Sequence, residues 1–293
     1  MGFKWPNEAI SSETSRKAMR QAILEQIAAA NSGHPGGSLS LVEIMSAIFD
    51  GHFKHDPKDQ LAADRDRLVL SKGHGVPALY SALSFLGYFD PSELKHLRSL
   101  GHFLQGHPDR NHYELMEAST GSLGQGGSVA LGEALGLRLS FQNKKLGRLP
   151  RVYAVMGDGE MQEGQVWEML MAAPKFELGN LVCILDYNKG QIDGPVKEIM
   201  DLEPIADKIK AFNWSVQTVD GHNVDELKAA LAKCEISEKG KPHFIIANTV
   251  KGKGISFMEH PTAWHGAAPS AEQLADALKE LNGGSEPFGR ILS

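Results

Sequence analysis

Val152-Tyr153-Ala154-Val155-Met156-Gly157-Asp158-Gly159 is the stretch that decides the fold. Its apolar, β-favouring run shows no polar alternation, which reads as a strand covered on both faces of a parallel sheet. The strand delivers an acid between two glycines, and a good helix-forming stretch, Glu160–Ala173, follows at once, ending before Pro174. A second β run, Leu181–Leu185, leads into Asp186-Tyr187-Asn188, which puts Asn188 thirty positions after Asp158. One strand–helix–strand crossover takes about thirty residues. Asp158 and Asn188 are therefore expected side by side beyond the carboxyl ends of two neighbouring strands, where open α/β sheets bind ligands. Glycines let the backbone approach a phosphate, and a helix N-terminus favours anions. Asp158, Asn188 and a backbone carbonyl near Gly190 are the hard oxygen donors that Mg²⁺ takes alongside phosphate oxygens and water. Alone, Gly-Asp-Gly is an ordinary turn; the crossover length and the ligand-type residue at its far end point to a metal and phosphate site.

Further strands are expected at Leu68–Leu70, Ser215–Val219 and Phe244–Ala247, all short and rich in Val, Ile and Leu. A first helix runs from about Ser12 to Ala30, with Met19, Ile23, Ile27 and Ala30 on one face and Gly33 as a stop. A second is expected to start on Ser40, with Glu43 completing a capping box, and to bury Leu41, Ile44, Met45 and Ile48. A third spans about Pro77 to Leu86, and a last one starts at Ser270, where Gln273 completes another capping box. Strands alternating with helices predict an α/β fold, a doubly wound, mainly parallel sheet flanked by helices. No composition break divides residues 1–293, so one domain with a helical N-terminal arm is expected.

The 293 residues are 42% hydrophobic and 23% charged, ordinary for a globular protein. A net charge of −6 leaves no electrostatic footprint for nucleic acid or an anionic membrane. Two cysteines, Cys183 and Cys234, are too few for a disulfide framework and lack zinc spacing. Residues 1–20 contain no apolar signal segment, and no run reaches transmembrane length, so a soluble cytoplasmic protein is expected. Gly121–Gly132 does not fit the dinucleotide pattern, and neither Gly240-Lys241 nor Gly252-Lys253 is followed by Ser or Thr as in a P-loop.

The spacing of Asp158 and Asn188 is that of the thiamine diphosphate fingerprint, and the surrounding sequence resembles transketolase. The matching pieces are Asn31-Ser32-Gly33-His34-Pro35-Gly36, Ser71-Lys72-Gly73-His74-Gly75, Gly106-His107-Pro108, Gly121-Ser122-Leu123-Gly124-Gln125-Gly126, the fingerprint itself, Lys251-Gly252-Lys253-Gly254 and Trp264-His265-Gly266. The resemblance implies a thiamine-diphosphate-binding fold in which Asp158, Asn188 and the Gly190 carbonyl hold Mg²⁺, with Ca²⁺ or Mn²⁺ as substitutes. It also implies that Gly121, Ser122 and Leu123 line the thiazolium and pyrimidine side, that Gly159 lies against the diphosphate, that Lys251 contacts the cofactor, and that Glu163 links two active sites across a subunit interface. Of twelve histidines, four sit in glycine-flanked motifs. By resemblance, His34 and His265 face the donor carbonyl and hydroxyls, while His74 and His107 contact the substrate's hydroxymethyl end and the diphosphate side; His74 and His265 also border the cofactor. His52, His55, His96, His102, His112, His222, His243 and His260 are expected to be ordinary structural or surface residues. Two departures from the pattern are Tyr187 before Asn188, and Gly37-Ser38 where many full-length relatives have Ala-Pro.

The similarity covers only the amino-terminal half of a full-length transketolase. The other half supplies the glutamate that activates the aminopyrimidine and most groups that grip a sugar phosphate. The expected activity is thus that of an amino-terminal transketolase subunit, transferring a two-carbon ketol unit from a ketose (phosphate) to an aldose. A separate carboxy-terminal subunit carrying the pyrimidine-binding domain completes it, in an α2β2 assembly. Two alternatives stand beside this: the α subunit of a thiamine-dependent 2-oxoacid dehydrogenase, and a non-catalytic cofactor-binding subunit. His34, His107 and Trp264-His265-Gly266 match the sugar-handling enzymes rather than the dehydrogenases.

Overall fold

The computed structural model describes residues 2–141, 148–236, 240–260, 262–285 and 287–292. Its strands are β1 (Arg67–Leu70), β2 (Val152–Gly157), β3 (Leu181–Tyr187), β4 (Gly190–Gln191), β5 (Gly194–Pro195), β6 (Ser215–Asp220) and β7 (His243–Asn248). Five of them form one sheet in the order β1-β2-β3-β7-β6, with every neighbouring pair parallel. β4 and β5 make a small antiparallel hairpin, followed at once by the short helix α7 (Val196–Ile199). Every residue of β2 and β3 is buried, which is why both read as unbroken apolar runs.

Successive side chains of the central strands point to opposite faces. Tyr153, Val155, Val182, Ile184 and Ile245 face a layer of α1 (Glu13–Ala30), α3 (Val42–Phe49), α4 (Val76–Phe85), α9 (Val224–Ile236) and α10 (Ala271–Asn282). Val152, Ala154, Met156, Cys183, Leu185, Phe244 and Ile246 face α5 (Gln125–Phe141), α6 (Gly164–Lys175) and α8 (Ile205–Ala211). Each Val, Leu or Ile so buried contributes about 1.5–3 kcal/mol relative to exposure. This is the expected doubly wound α/β arrangement, and all five expected strands are present. α1 packs against α4 and α10 rather than standing apart from the core.

Register places the site. Gly157 pairs with Asp186 and Tyr187 with Asn248, while Leu70 pairs with Val155. The chain segments leaving β1, β2, β3 and β7 therefore emerge at one edge of the sheet, carrying Ser71–His74, Asp158–Glu160, Asn188–Gly190 and Thr249–Lys251.

Helix starts show where sequence logic holds. Ser12 caps α1 by accepting a hydrogen bond from the Ser15 amide at 3.0 Å, and Ser270 with Gln273 forms a complete capping box on α10. The capping box expected at Ser40 and Glu43 does not form. A short helix, α2 (Pro35–Leu39), precedes it, and α3 starts at Val42 with Leu41 in the cap position. The Ser40 hydroxyl donates instead to Asp186 at 2.6 Å, and the Glu43 carboxylate accepts from Arg20 at 2.7 and 2.8 Å. Burial alone would raise the Glu43 carboxyl, but Arg20 and the His222 imidazole hold it down at about 2. Satisfying these buried charged groups outweighs a local cap. The helix after the fingerprint also differs: Gly159–Gln162 forms a 3₁₀ turn, and α6 runs from Gly164 through Pro174 to Lys175.

Candidate active site

The cleft at this edge, about 280 Å³, is floored by Asp158, Gly159, Asn188 and Gly190 and walled by Leu123, Lys251 and two histidines. Asp158 caps the 3₁₀ turn, accepting from the Gly159 amide at 2.8 Å and from the Lys189 amide. Burial, and then the Asp186 carboxylate nearby, pushes its carboxyl up to about 6. Asn188 turns its amide nitrogen to Asp186 at 3.2 Å, which leaves its oxygen on the Gly190 side, where it accepts the Gly190 amide at 3.1 Å. The Gly190 carbonyl accepts from the Lys251 ammonium at 3.1 Å.

This donor set fits a hard divalent cation bound with a diphosphate. It offers one carboxylate, one amide oxygen and one carbonyl, leaving positions for phosphate oxygens, as Mg²⁺ prefers. A carboxyl whose charged form burial and a like charge disfavour gains from a neighbouring cation. The backbone is bare where a phosphate would approach: a Cβ on Gly159 would lie 3.0 Å from the Gln191 Cβ, and one on Gly190 3.2 Å from the Lys251 Cδ. Among the described residues no cluster of three or more His, Cys, Asp or Glu could hold a metal; the fingerprint needs none, since two of its three donors are amide-type oxygens.

Beneath the cleft lies a buried ion pair that sequence reasoning did not single out. Asp186, fully buried, accepts from Lys72, from Ser40 at 2.6 Å and from Thr249, and Lys72 donates further to the Gly37 carbonyl at 3.0 Å. Burial would raise the Asp186 carboxyl, yet the Lys72 ammonium and the hydroxyl donors keep it low. The pair ties the end of β3 and the segments after β1 and β7 to α2. Removing one member leaves an uncompensated buried charge, so Asp186→Ala is expected to destabilise the fold by about 3–5 kcal/mol in chemical denaturation. A loss under about 1 kcal/mol would mean that the pair does not hold this edge together.

All four motif histidines converge above this pair. Ring centroids of His34 lie 5.3 Å from His74, 5.9 Å from His107 and 5.6 Å from His265, and His74 lies 5.2 Å from His265. Burial is the first cause of depression in each, reinforced by nearby cations: burial and then Lys251 bring His265 to about 3, burial and then Arg98 bring His34 to about 4 and lower His107, and Lys72 adds to burial at His74. The imidazoles are therefore neutral at physiological pH, able to accept or donate a proton. Folding favours the neutral rings, so the folded state binds fewer protons than the unfolded chain between the depressed values and the ordinary 6.5. That contribution to stability is complete above about pH 6.5 and is lost as pH falls towards about 4 for His34 and about 3 for His265. Denaturation midpoints are expected to drop across that window, less steeply in a His34→Gln, His265→Gln double variant; equal slopes would exclude the two rings as the cause.

The remaining expected residues distribute as follows. Lys251 donates to the His265 Nδ1 at 2.8 Å as well as to Gly190. Gly121, at φ +132°, faces the His107 ring, where a Cβ would come within 2.8 Å. Leu123 and Glu163 sit at the cleft rim and Ser122 is exposed. Gly37 leaves room for the His74 ring, 3.2 Å from where a Cβ would stand. Outside the cluster, His222 binds Glu43 and the Val250 amide, His55 the Tyr88 hydroxyl, His102 Glu93, His112 Asp109, and His52 Glu235. The His96 ring lies against that of His102, and His243 opens β7. Cys183 is buried in β3, where burial pushes its thiol far up. Besides Lys72 and Asp186, the sequence reading missed Glu160 and Arg98. Asp186, at a strand end two residues before Asn188, and Glu160, two after Asp158, were detectable as acids at ligand-bearing turns.

The family described as the transketolase thiamine diphosphate binding domain matches residues 11–289. The chain is 42% identical over 275 residues to the 6-deoxy-6-sulfo-D-fructose transketolase subunit SqwG of Clostridium sp., covering 94% of this chain and 97% of that one. It is 35% identical to an apulose-4-phosphate transketolase subunit of Phocaeicola vulgatus, covering 92% and 93%. Against the transketolase of Homo sapiens it is 38% identical but spans only 42% of that protein's length. The solved transketolase of Leishmania mexicana superposes with a TM-score of 0.88 at 30% identity, covering 95% of this chain and 42% of the other. The chain belongs to the transketolase family and carries its thiamine diphosphate binding domain.

Proposed function

We propose that this chain is the amino-terminal subunit of a cytoplasmic transketolase that moves a two-carbon ketol unit from a ketose to an aldose together with a separate carboxy-terminal, pyrimidine-binding subunit, in an α2β2 assembly. The carrying observation is the convergence of the oxygen donors Asp158, Asn188 and Gly190 with four neutral histidines at one sheet edge. Relatives that match over nearly their whole length are named as transketolase subunits, which supports the separate partner. The sugars in their names, one sulfonated and one phosphorylated, support an anionic ketose as donor. No helix among the described residues is long and apolar enough to cross a membrane.

Thiamine diphosphate supplies an electron sink for carbon–carbon cleavage when bound. Asp158, Asn188 and the Gly190 carbonyl would hold Mg²⁺, and Gly159 would let the backbone approach the diphosphate. Lys251 donates to the His265 Nδ1, so the neutral ring carries its proton on Nε2 and presents a donor to a substrate oxygen. His34, whose buried Nδ1 finds no hydrogen-bond partner among the described residues, and His265 exchange protons with the donor's hydroxyls and carbonyl oxygen. His74 and His107 bind the hydroxymethyl end.

The test mixes the chain with its partner, thiamine diphosphate and Mg²⁺, using xylulose 5-phosphate and other phosphorylated or sulfonated ketoses as donors and ribose 5-phosphate as acceptor. Extension of the acceptor by two carbons is expected. No transfer from any donor overturns the reading, and oxidative decarboxylation of pyruvate by the pair would move it to the dehydrogenases.

A further inference from the structure

Glu160 is buried and stands in none of the roles above, yet its carboxylate bonds three segments that lead into the cleft. One oxygen accepts from the Ser71 hydroxyl and from the Gly124 amide at 2.9 Å; the other accepts from the Gly157 amide at 3.1 Å. Each donor adjoins a residue of the site. Ser71 precedes Lys72 and His74, Gly124 follows Leu123, and Gly157 precedes Asp158. Among the described residues these three donors, and no ion pair, satisfy the Glu160 carboxylate. Hiding a carboxylate without a counter-ion is unfavourable, and a packed apolar side chain usually stabilises a core as well or better. What only an acceptor-only, two-oxygen group does here is join three segments far apart in sequence at fixed spacing.

We propose that Glu160 is a positioning residue that sets the distance between the Asp158 turn, the Gly121–Leu123 wall and the His74 loop, and thereby the affinity for thiamine diphosphate; this rests on the cofactor reading above. Glu160→Gln keeps the shape but replaces one acceptor oxygen by an NH₂ that faces donors. In the complex with the partner subunit, calorimetric titration of thiamine diphosphate at fixed Mg²⁺ is expected to give a Kd raised roughly 10- to 100-fold, the scale of an outer-shell partner lost from a metal site. Ser71→Ala, which removes one of the three bonds and keeps the carboxylate, is expected to raise Kd by less, in the same direction, and serves if the first variant does not fold. A cofactor Kd equal to that of the wild-type complex in the folded variants, whatever their thermal midpoints, overturns the proposal. Wild-type complex that binds no thiamine diphosphate overturns the cofactor reading instead.

Discussion

Asp158→Ala is expected to abolish Mg²⁺-dependent binding of thiamine diphosphate by the assembled protein while leaving its fold intact. Asp158 is the only carboxylate in the donor set; Asn188 and the Gly190 carbonyl contribute neutral oxygens. Removing it leaves Mg²⁺ without a protein charge at the floor of the cleft, where only the diphosphate then offsets the cation. The loss should exceed the roughly 10- to 100-fold that follows removal of an outer-shell partner. The fold is expected to survive, because burial together with Asp186 already disfavours the charged form of Asp158. Asp186→Ala behaves differently, since it strands Lys72. Calorimetry with and without Mg²⁺ reads the first effect and circular dichroism the second. An unchanged Mg²⁺-dependent affinity in Asp158→Ala removes the metal assignment.

His265→Ala is expected to spare cofactor binding and to lower turnover by roughly 10²- to 10⁴-fold, the usual share of a positioned proton-transfer group. His265 is tied to the diphosphate corner by its bond from Lys251, whose ammonium keeps its other bond to Gly190 when the ring is gone. The loss should therefore appear in kcat rather than in the cofactor Kd. If Kd rises as far as kcat falls, His265 is part of the binding surface and not a proton-transfer group.

Much of this site was legible because its parts sit on strand ends. β2 and β3 announce themselves as apolar runs, and the crossover between them fixes the distance from Asp158 to Asn188. The glycine-flanked histidines were visible as motifs, though nothing local says that rings from three separated segments stand within 6 Å of the His34 ring. Other features were hidden for physical reasons. α5 begins in a glycine-rich stretch with poor helix propensity; Gly126 is there because a Cβ would sit 2.5 Å from the Ser71 hydroxyl. α9 carried a readable signal in the Asn223 side chain, which accepts from the Asp225 and Glu226 amides at 3.1 and 3.2 Å. Ser40 and Glu43 matched a local capping pattern, but long-range partners, Asp186 and Arg20, took both side chains. The Lys72–Asp186 pair spans 114 positions, so only the folded chain brings it together.

The most direct test of the cofactor assignment is a crystal structure of this chain with its partner subunit, grown with thiamine diphosphate and Mg²⁺. One cation is expected about 2.0–2.1 Å from oxygens of Asp158, Asn188 and the Gly190 carbonyl and from the diphosphate, with the thiazolium side of the cofactor turned towards the histidine cluster. A cation bound by other residues, or a diphosphate seated away from Gly159, would contradict it.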